Sequence, residues 1–225
     1  DHRDLHSFPT RRSSDLDQLP SEVRLSQELG VSRPAIREAF GALAALGVVD
    51  VGNGRRPRVA AVSAFPVTMA IDHALNTGQV TFTQVWDVRR RLEMGTAALA
   101  ARHRTPEQAR QILDIAQAMQ ECQPHSAAMT ELDIAFHAAI ATASGNILFE
   151  QIAAAFHPLM ERAVPLAWST RATDESQKDI LARHMALARA IADGDPVAAE
   201  QLMDLHFDRS VGAILSTAAL PGGNG

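Results

Sequence analysis

The chain has 225 residues, 46% apolar and 21% charged, which suits one or two folded domains and excludes a disordered or low-complexity protein. Its net charge of -5 argues against a protein that coats nucleic acid over its whole surface. A single cysteine, Cys122, excludes an intramolecular disulfide and points to a reducing, cytoplasmic compartment, and neither a membrane span nor a secretory leader is recognisable.

Residues 1–16, DHRDLHSFPTRRSSDL, show no helical or strand periodicity. The string resembles one translated reading frame of a common sequencing adapter. It is therefore expected to be non-native, and His2, His6, Arg11 and Arg12 are given no role. Native sequence is expected from about Asp17.

From Asp17 to Val62 the order is helix, tight turn, helix, hairpin. Ser21 can cap a first helix, whose edge carries Leu25 and Leu29 and which Gly30 ends. Ser32 can cap a second helix with Pro34 in its first turn, and Ile36, Phe40, Leu43 and Leu46 repeat at core spacing. Gly47 ends it. Val48–Val51 and Arg58–Val62 then read as strands joined through Gly52-Asn53-Gly54. This is the layout of a winged helix-turn-helix. Arg33 and Arg37 lie four apart near the start of the second helix, where a recognition helix meets base edges, and Arg24, Arg55, Arg56 and Arg58 surround them. The competing reading is a solvated face paired with Glu22, Glu28 and Glu38.

The stretch LPSEVRLSQELGVSRPAIREAFGALAALGVVDVGNG resembles the DNA-binding segment of the GntR family of bacterial transcription regulators. The resemblance implies that Arg24, Arg33 and Arg37 contact double-stranded operator DNA, with Ser32 and Gly54 close to its backbone. Two departures stand out. The family's first helix, which would precede Asp17, is replaced by the adapter-like segment, and the wing reads Gly54-Arg55-Arg56-Pro57-Arg58. Without that helix, Leu25, Leu29 and Phe40 are expected to lie uncovered and the head to be destabilised.

After Ala64-Phe65-Pro66, read as a linker, the pattern is helical to residue 217, followed by a short tail, 218–225, expected to be flexible. Six or seven helices are predicted, over about 66–77, 82–103, 106–121, 127–144, 147–163, 174–193 and 196–216, forming an antiparallel bundle. Thr105-Pro106 starts one helix, Pro165 lies near the end of another, and Gly194 closes a further one.

The informative residues are polar ones on inward faces. Asp133 and His137, four apart, flank the stripe Met129, Leu132, Phe136 and Ile140. His184 falls on the stripe Ile180, Leu187 and Ile191, and His206 sits among Leu202, Met203 and Ala213. One carboxylate and three imidazoles suit a divalent transition metal such as Zn, Ni, Mn or Fe. Taken singly, each histidine reads equally as an ordinary core residue, and Asp133 with His137 as a simple helix pair. His73, His103, His125 and His157 lack such placement and read as ordinary.

RRRLEMGTAALAA, DIAFHAAIATASGN, the ARH ending at His184 and the LHF around His206 resemble the FCD sensor domain of FadR-type GntR regulators. The resemblance implies a metal held by Asp133, His137, His184 and His206. It also implies a small carboxylate effector (sugar acid, organic acid or amino acid) met by Arg89. Arg89 otherwise reads as a surface partner of Asp87 or Glu93, and Asn146 either caps a helix or lines the pocket.

The expected protein is a homodimeric, mainly α regulator on a palindromic operator, with a winged head at 17–62 and a sensor at 67–217. A metal-dependent hydrolase or lyase built on the same four ligands is the alternative, because open metal positions can activate water.

Overall fold

The computed structural model describes residues 18–52, 55–169 and 173–215. The adapter-like segment, Gly54 and the 218–225 tail lie outside the described residues. The chain divides into two compact units, residues 1–66 and 67–225.

In the first unit, α1 (Glu22–Leu29) is capped by Ser21, whose hydroxyl accepts from Arg24 N at 3.3 Å. Gly30 follows in the left-handed region, φ 68°, which lets the chain turn within three residues into α2 (Arg33–Ala45). Ser32 caps α2, and Pro34 occupies its first turn at no cost in hydrogen bonds. The hairpin is short: β1 (Val49–Asp50) pairs antiparallel with β2 (Arg58–Val59). Gln18 bridges to Arg58 and Leu19 N donates to Pro57 O, so the segment before α1 docks on the hairpin. Ile36, Phe40 and Val49 form the core, with Leu19 and Leu25 against it.

Two inward expectations fail here. Leu43 and Leu46 are 37% and 62% exposed, so helical periodicity alone does not bury them. Leu29, at 64%, lies uncovered as expected, but Leu25 and Phe40 do not: Phe40 is 5% exposed and forms a core with Ile36 and Val49, against which Leu19 and Leu25 pack.

The second unit is a helical bundle. Its helices are α3 (Phe65–Asn76), α4 (Phe82–His103), α5 (Pro106–Glu121), α6 (Ala127–Ala143), α7 (Ile147–Ala155), α8 (His157–Ser169), α9 (Asp174–Asp193) and α10 (Pro196–Leu215). Capping boxes start α4, through Thr81 and Gln84, and α5, through Thr105 and Gln108. α4 packs on α6, α9 and α10, while α5 covers α6 and α9. Ala97, Ala100, Ile112, Met129, Phe136, Leu187, Ile191 and Met203 make the centre of one continuous core.

Among the described residues of this unit, eight helices replace the six or seven expected. The predicted 147–163 helix breaks at Phe156, which caps α7, and α8 begins at His157. Pro165 does not end a helix but lies inside α8. Ala163 and Val164 before it and Ala167 and Trp168 after it are all buried, so packing holds the helix together through the lost backbone hydrogen bond. The expected linker is also shorter, since Phe65 and Pro66 already belong to α3.

Candidate functional site

Four helices of the bundle converge on one buried polar centre. α6 contributes Asp133 and His137, α9 His184, α10 His206 and α4 Arg89 and Glu93, and none of these is more than 8% exposed. On α4 the residues Trp86, Arg89, Glu93, Ala97 and Ala100 follow three- and four-residue steps, so one inward stripe carries both the charged pair and the alanines packed below it.

The three histidines each offer a ring nitrogen within 4.8 Å of the others. His184 Nδ1 lies 2.8 Å from Ile180 O, and a carbonyl only accepts, so that nitrogen carries the proton and Nε2 keeps its lone pair. Yet Nε2 lies 3.4 Å from Asp133 Oδ1, without an aligned hydrogen bond. Two electron-rich atoms thus face each other in a buried place, an arrangement that a cation between them resolves. His137 Nδ1 similarly donates to Glu93 Oε2, leaving its Nε2 as the available donor atom. Burial pushes the His206 imidazolium well below its usual range and keeps the ring neutral, as a ligand must be, and any protonation of His184 or His137 would push it further. Burial alone would raise the Asp133 carboxyl, but the close approach of His184, with His137 and His206 beside it, favours the charged form and holds it below the usual carboxylate range. Three neutral imidazoles and one carboxylate are a chemically fitting set for a divalent transition ion.

Beside this cluster lies a small cavity of about 30 Å3, lined by Arg89, Asp133, His137, His206, Trp86 and Trp168 among others. Arg89 is 4% exposed, and its guanidinium carbon lies 5.2 Å from the centroids of both the Trp86 and the Phe207 rings. Nε donates to Glu93 Oε1 at 2.5 Å, and Nη1 meets the sulfur of Met160, a weak acceptor. Nη2 has no hydrogen-bond acceptor among the described residues. The ion pair suggested for Arg89 on the surface therefore exists, with Glu93, but is buried. Against the cost of burial, the Arg89 and His137 charges bring the Glu93 carboxyl down to about 2.

The sequence offers Glu93 only as a surface partner of Arg89, reads His157 as ordinary and does not single out Trp86 or Met160. His157 is half-buried, and burial followed by the Arg89 charge lowers its pKa, which places it electrically beside the centre. A signal existed, since His157, Met160, Val164 and Trp168 share one stripe of α8. Asn146 is exposed and accepts from Leu148 N at 3.0 Å as the cap of α7, and it does not line the cavity.

In the first unit, Arg24 pairs with Glu28 at 2.6 Å and Arg37 with Glu22 at 3.0 Å. These are the acidic partners that the solvated-face reading named. Such exposed pairs are weak and screened by salt, so they leave the arginines available to a phosphate or a base. Arg33 is exposed one turn before Arg37, and Ser32 sits beside it as the helix cap. Arg55 reaches Asp50 at 3.3 Å, while Arg56 and Arg58 are exposed.

Residues 84–209 match the FCD domain, and residues 10–59 match the bacterial regulatory proteins of the gntR family. The chain belongs to the FCD-containing GntR regulators. The gntR match begins inside the segment read as adapter-like. Among its relatives, the transcriptional repressor NanR of Escherichia coli is 29% identical over 197 residues, covering 85% of this chain and 74% of that protein. The transcriptional regulator LutR of Bacillus subtilis is 29% identical over 194 residues, covering 85% and 88%. A GntR structure from Streptococcus agalactiae shares the fold with a TM-score of 0.60 at 23% identity, covering 90% of each chain. A GntR-family structure from Pseudomonas syringae does so at 0.52 and 16%, covering 90% and 78%. This FCD-type GntR protein is thus a transcription regulator and not an enzyme, which sets aside the hydrolase or lyase alternative. No helix among its described residues is long and apolar enough to cross a membrane.

Proposed function

We propose that this regulator is a metal-containing, effector-responsive repressor that binds a palindromic operator as a cytoplasmic homodimer. The observation that carries the sensor half is the meeting of Asp133, His137, His206 and Arg89 around one cavity, with His184 completing the histidine cluster behind it. Asp133, His137, His184 and His206 would hold the divalent ion, of zinc, nickel, manganese or iron. When bound, that ion supplies a positive point of attachment for ligand oxygens. Arg89 Nη2 offers a second, to a carboxylate, because a buried guanidinium with unused N–H groups favours a planar anion. The effector class, a small sugar acid, organic acid or amino acid, follows from the family resemblance; the cavity, about 30 Å3, is narrower than an ordinary ligand pocket and has to widen to admit it.

In the head, α2 would enter the major groove with Arg33 and Arg37 on base edges, Arg24 on phosphate and Ser32 near the DNA backbone. Gly54 keeps the wing-tip role implied by resemblance. The effector changes operator affinity only by binding two states of the protein unequally.

Two measurements test this. Metal analysis of the purified full chain should find about one ion per chain, and His184→Ala should lose it; equal metal in both defeats the ligand assignment. Sequences selected from a random duplex pool should be bound preferentially, with affinity falling steeply with salt. Arg33→Ala with Arg37→Ala should erase that preference, and unchanged selectivity would refute their role.

A further inference from the structure

Glu93 is neither among the four candidate ion ligands nor in the candidate head, yet it is 5% exposed and both its oxygens are committed. Oε1 accepts from Arg89 Nε at 2.5 Å, across one turn of α4. Oε2 accepts from His137 Nδ1 on the neighbouring helix α6. A carboxylate can only accept, so each partner must turn an N–H towards it. For His137 this leaves Nε2 with the lone pair. For Arg89, whose Nη1 meets Met160, it leaves Nη2 as the nitrogen with no acceptor among the described residues.

We infer that Glu93 is the positioning residue of the whole centre, orienting the ion-binding face of His137 and the anion-binding edge of Arg89 with its two oxygens. The inference rests on the reading of the site as an ion and carboxylate centre. It goes further in assigning both halves of that centre to one side chain that touches neither ligand.

A glutamine at this position has nearly the same shape but one acceptor oxygen and one NH2 donor. The charged Arg89 forms the stronger hydrogen bond and should keep the oxygen. The NH2 group then faces His137 Nδ1, which must become the acceptor. The ring proton moves to Nε2, and the nitrogen needed by the ion is blocked.

The test uses the full chain with 15N-labelled histidine, metal-free, read by two-bond nitrogen–proton correlation, followed by titration with Co2+. Wild-type His137 should carry its proton on Nδ1, and Glu93→Gln should move it to Nε2. His184, whose Nδ1 is held by Ile180 O, should keep its tautomer in both proteins and serves as an internal control. Co2+ should bind Glu93→Gln on the order of 10- to 100-fold more weakly, with a changed visible absorption band. Wild-type His137 protonated on Nε2, or a variant that binds Co2+ as tightly as wild type, overturns the inference. If the variant does not fold, the wild-type tautomer decides alone. Wild-type protein that takes up no Co2+ overturns the ion reading, while the tautomers of the metal-free protein still decide the placement of Glu93.

Discussion

Trp86 shows how a single buried polar atom can carry a cost within a well-packed ring. Its ring is 6% exposed, stacked on Phe82 at 5.5 Å and tilted against Phe207 at 5.2 Å, so its apolar area is well used. Its Nε1–H is buried without a hydrogen-bond partner among the described residues, although the residue lines the cavity beside Arg89. An unmet buried donor costs about 1–3 kcal/mol. Trp86→Phe keeps the ring contacts, loses some volume and deletes the unmet donor, so the two effects oppose each other. Urea unfolding of the ligand-free variant should therefore lie within about 1 kcal/mol of wild type, well short of the roughly 3–5 kcal/mol of a truncation to alanine. A loss near that larger value would mean that Nε1–H already has a partner in the folded protein.

At the scale of elements, α8 makes the sharpest test, because its Pro165 is exposed while Ala163, Val164, Ala167 and Trp168 around it are buried. Pro165→Ala restores a backbone donor towards Glu161 without touching the core. It should stabilise the chain by about 1–3 kcal/mol, read as a higher urea midpoint at unchanged slope. Destabilisation would show that the proline shapes the packing of Ala163 and Trp168. The same helix marks what could be read from sequence. Helices with chemical punctuation were legible to within a residue or so: Thr105-Pro106 at the start of α5 and Gly194 after α9. The break at Phe156 has no glycine or proline to announce it, and Pro165 announces a stop that tertiary packing overrides. The convergence of Asp133, His137, His184 and His206 could be anticipated because each lies on an apolar stripe of its own helix. Glu93 could not, since its purpose depends on which atoms α6 brings opposite it. Nor could the exposure of Leu43 and Leu46, because a stripe states a preference for burial and not the presence of a covering element.

For the whole molecule, the net charge divides unevenly. Residues 17–62 hold six arginines against five acids, so the negative total belongs to the bundle. That division allows an acidic chain to present a positive reading face, and it also frames the response to pH. Acidifying from pH 7 protonates exposed histidines and moves the net charge from -5 towards zero, which relaxes self-repulsion and should slightly favour the folded state. The buried centre acts oppositely. His206 is held well below the ordinary value near 6.5, above all by its burial. The unfolded chain therefore takes up a proton below about pH 6.5 that the folded chain resists. The corresponding stability is present above that pH and is lost as pH falls towards the folded value. Glu93, lowered to about 2, and Asp133, lowered further, act in a separate window, their contributions persisting until pH falls below about 4.5. For metal-free protein, urea midpoints should therefore decline from pH 6.5 to 5 and decline again below about 4.5. His206→Gln should flatten the first decline and leave the second. A metal-free wild type equally stable at pH 7 and pH 5 would show that His206 accepts its proton in the folded state. The pH response would then follow surface charge alone.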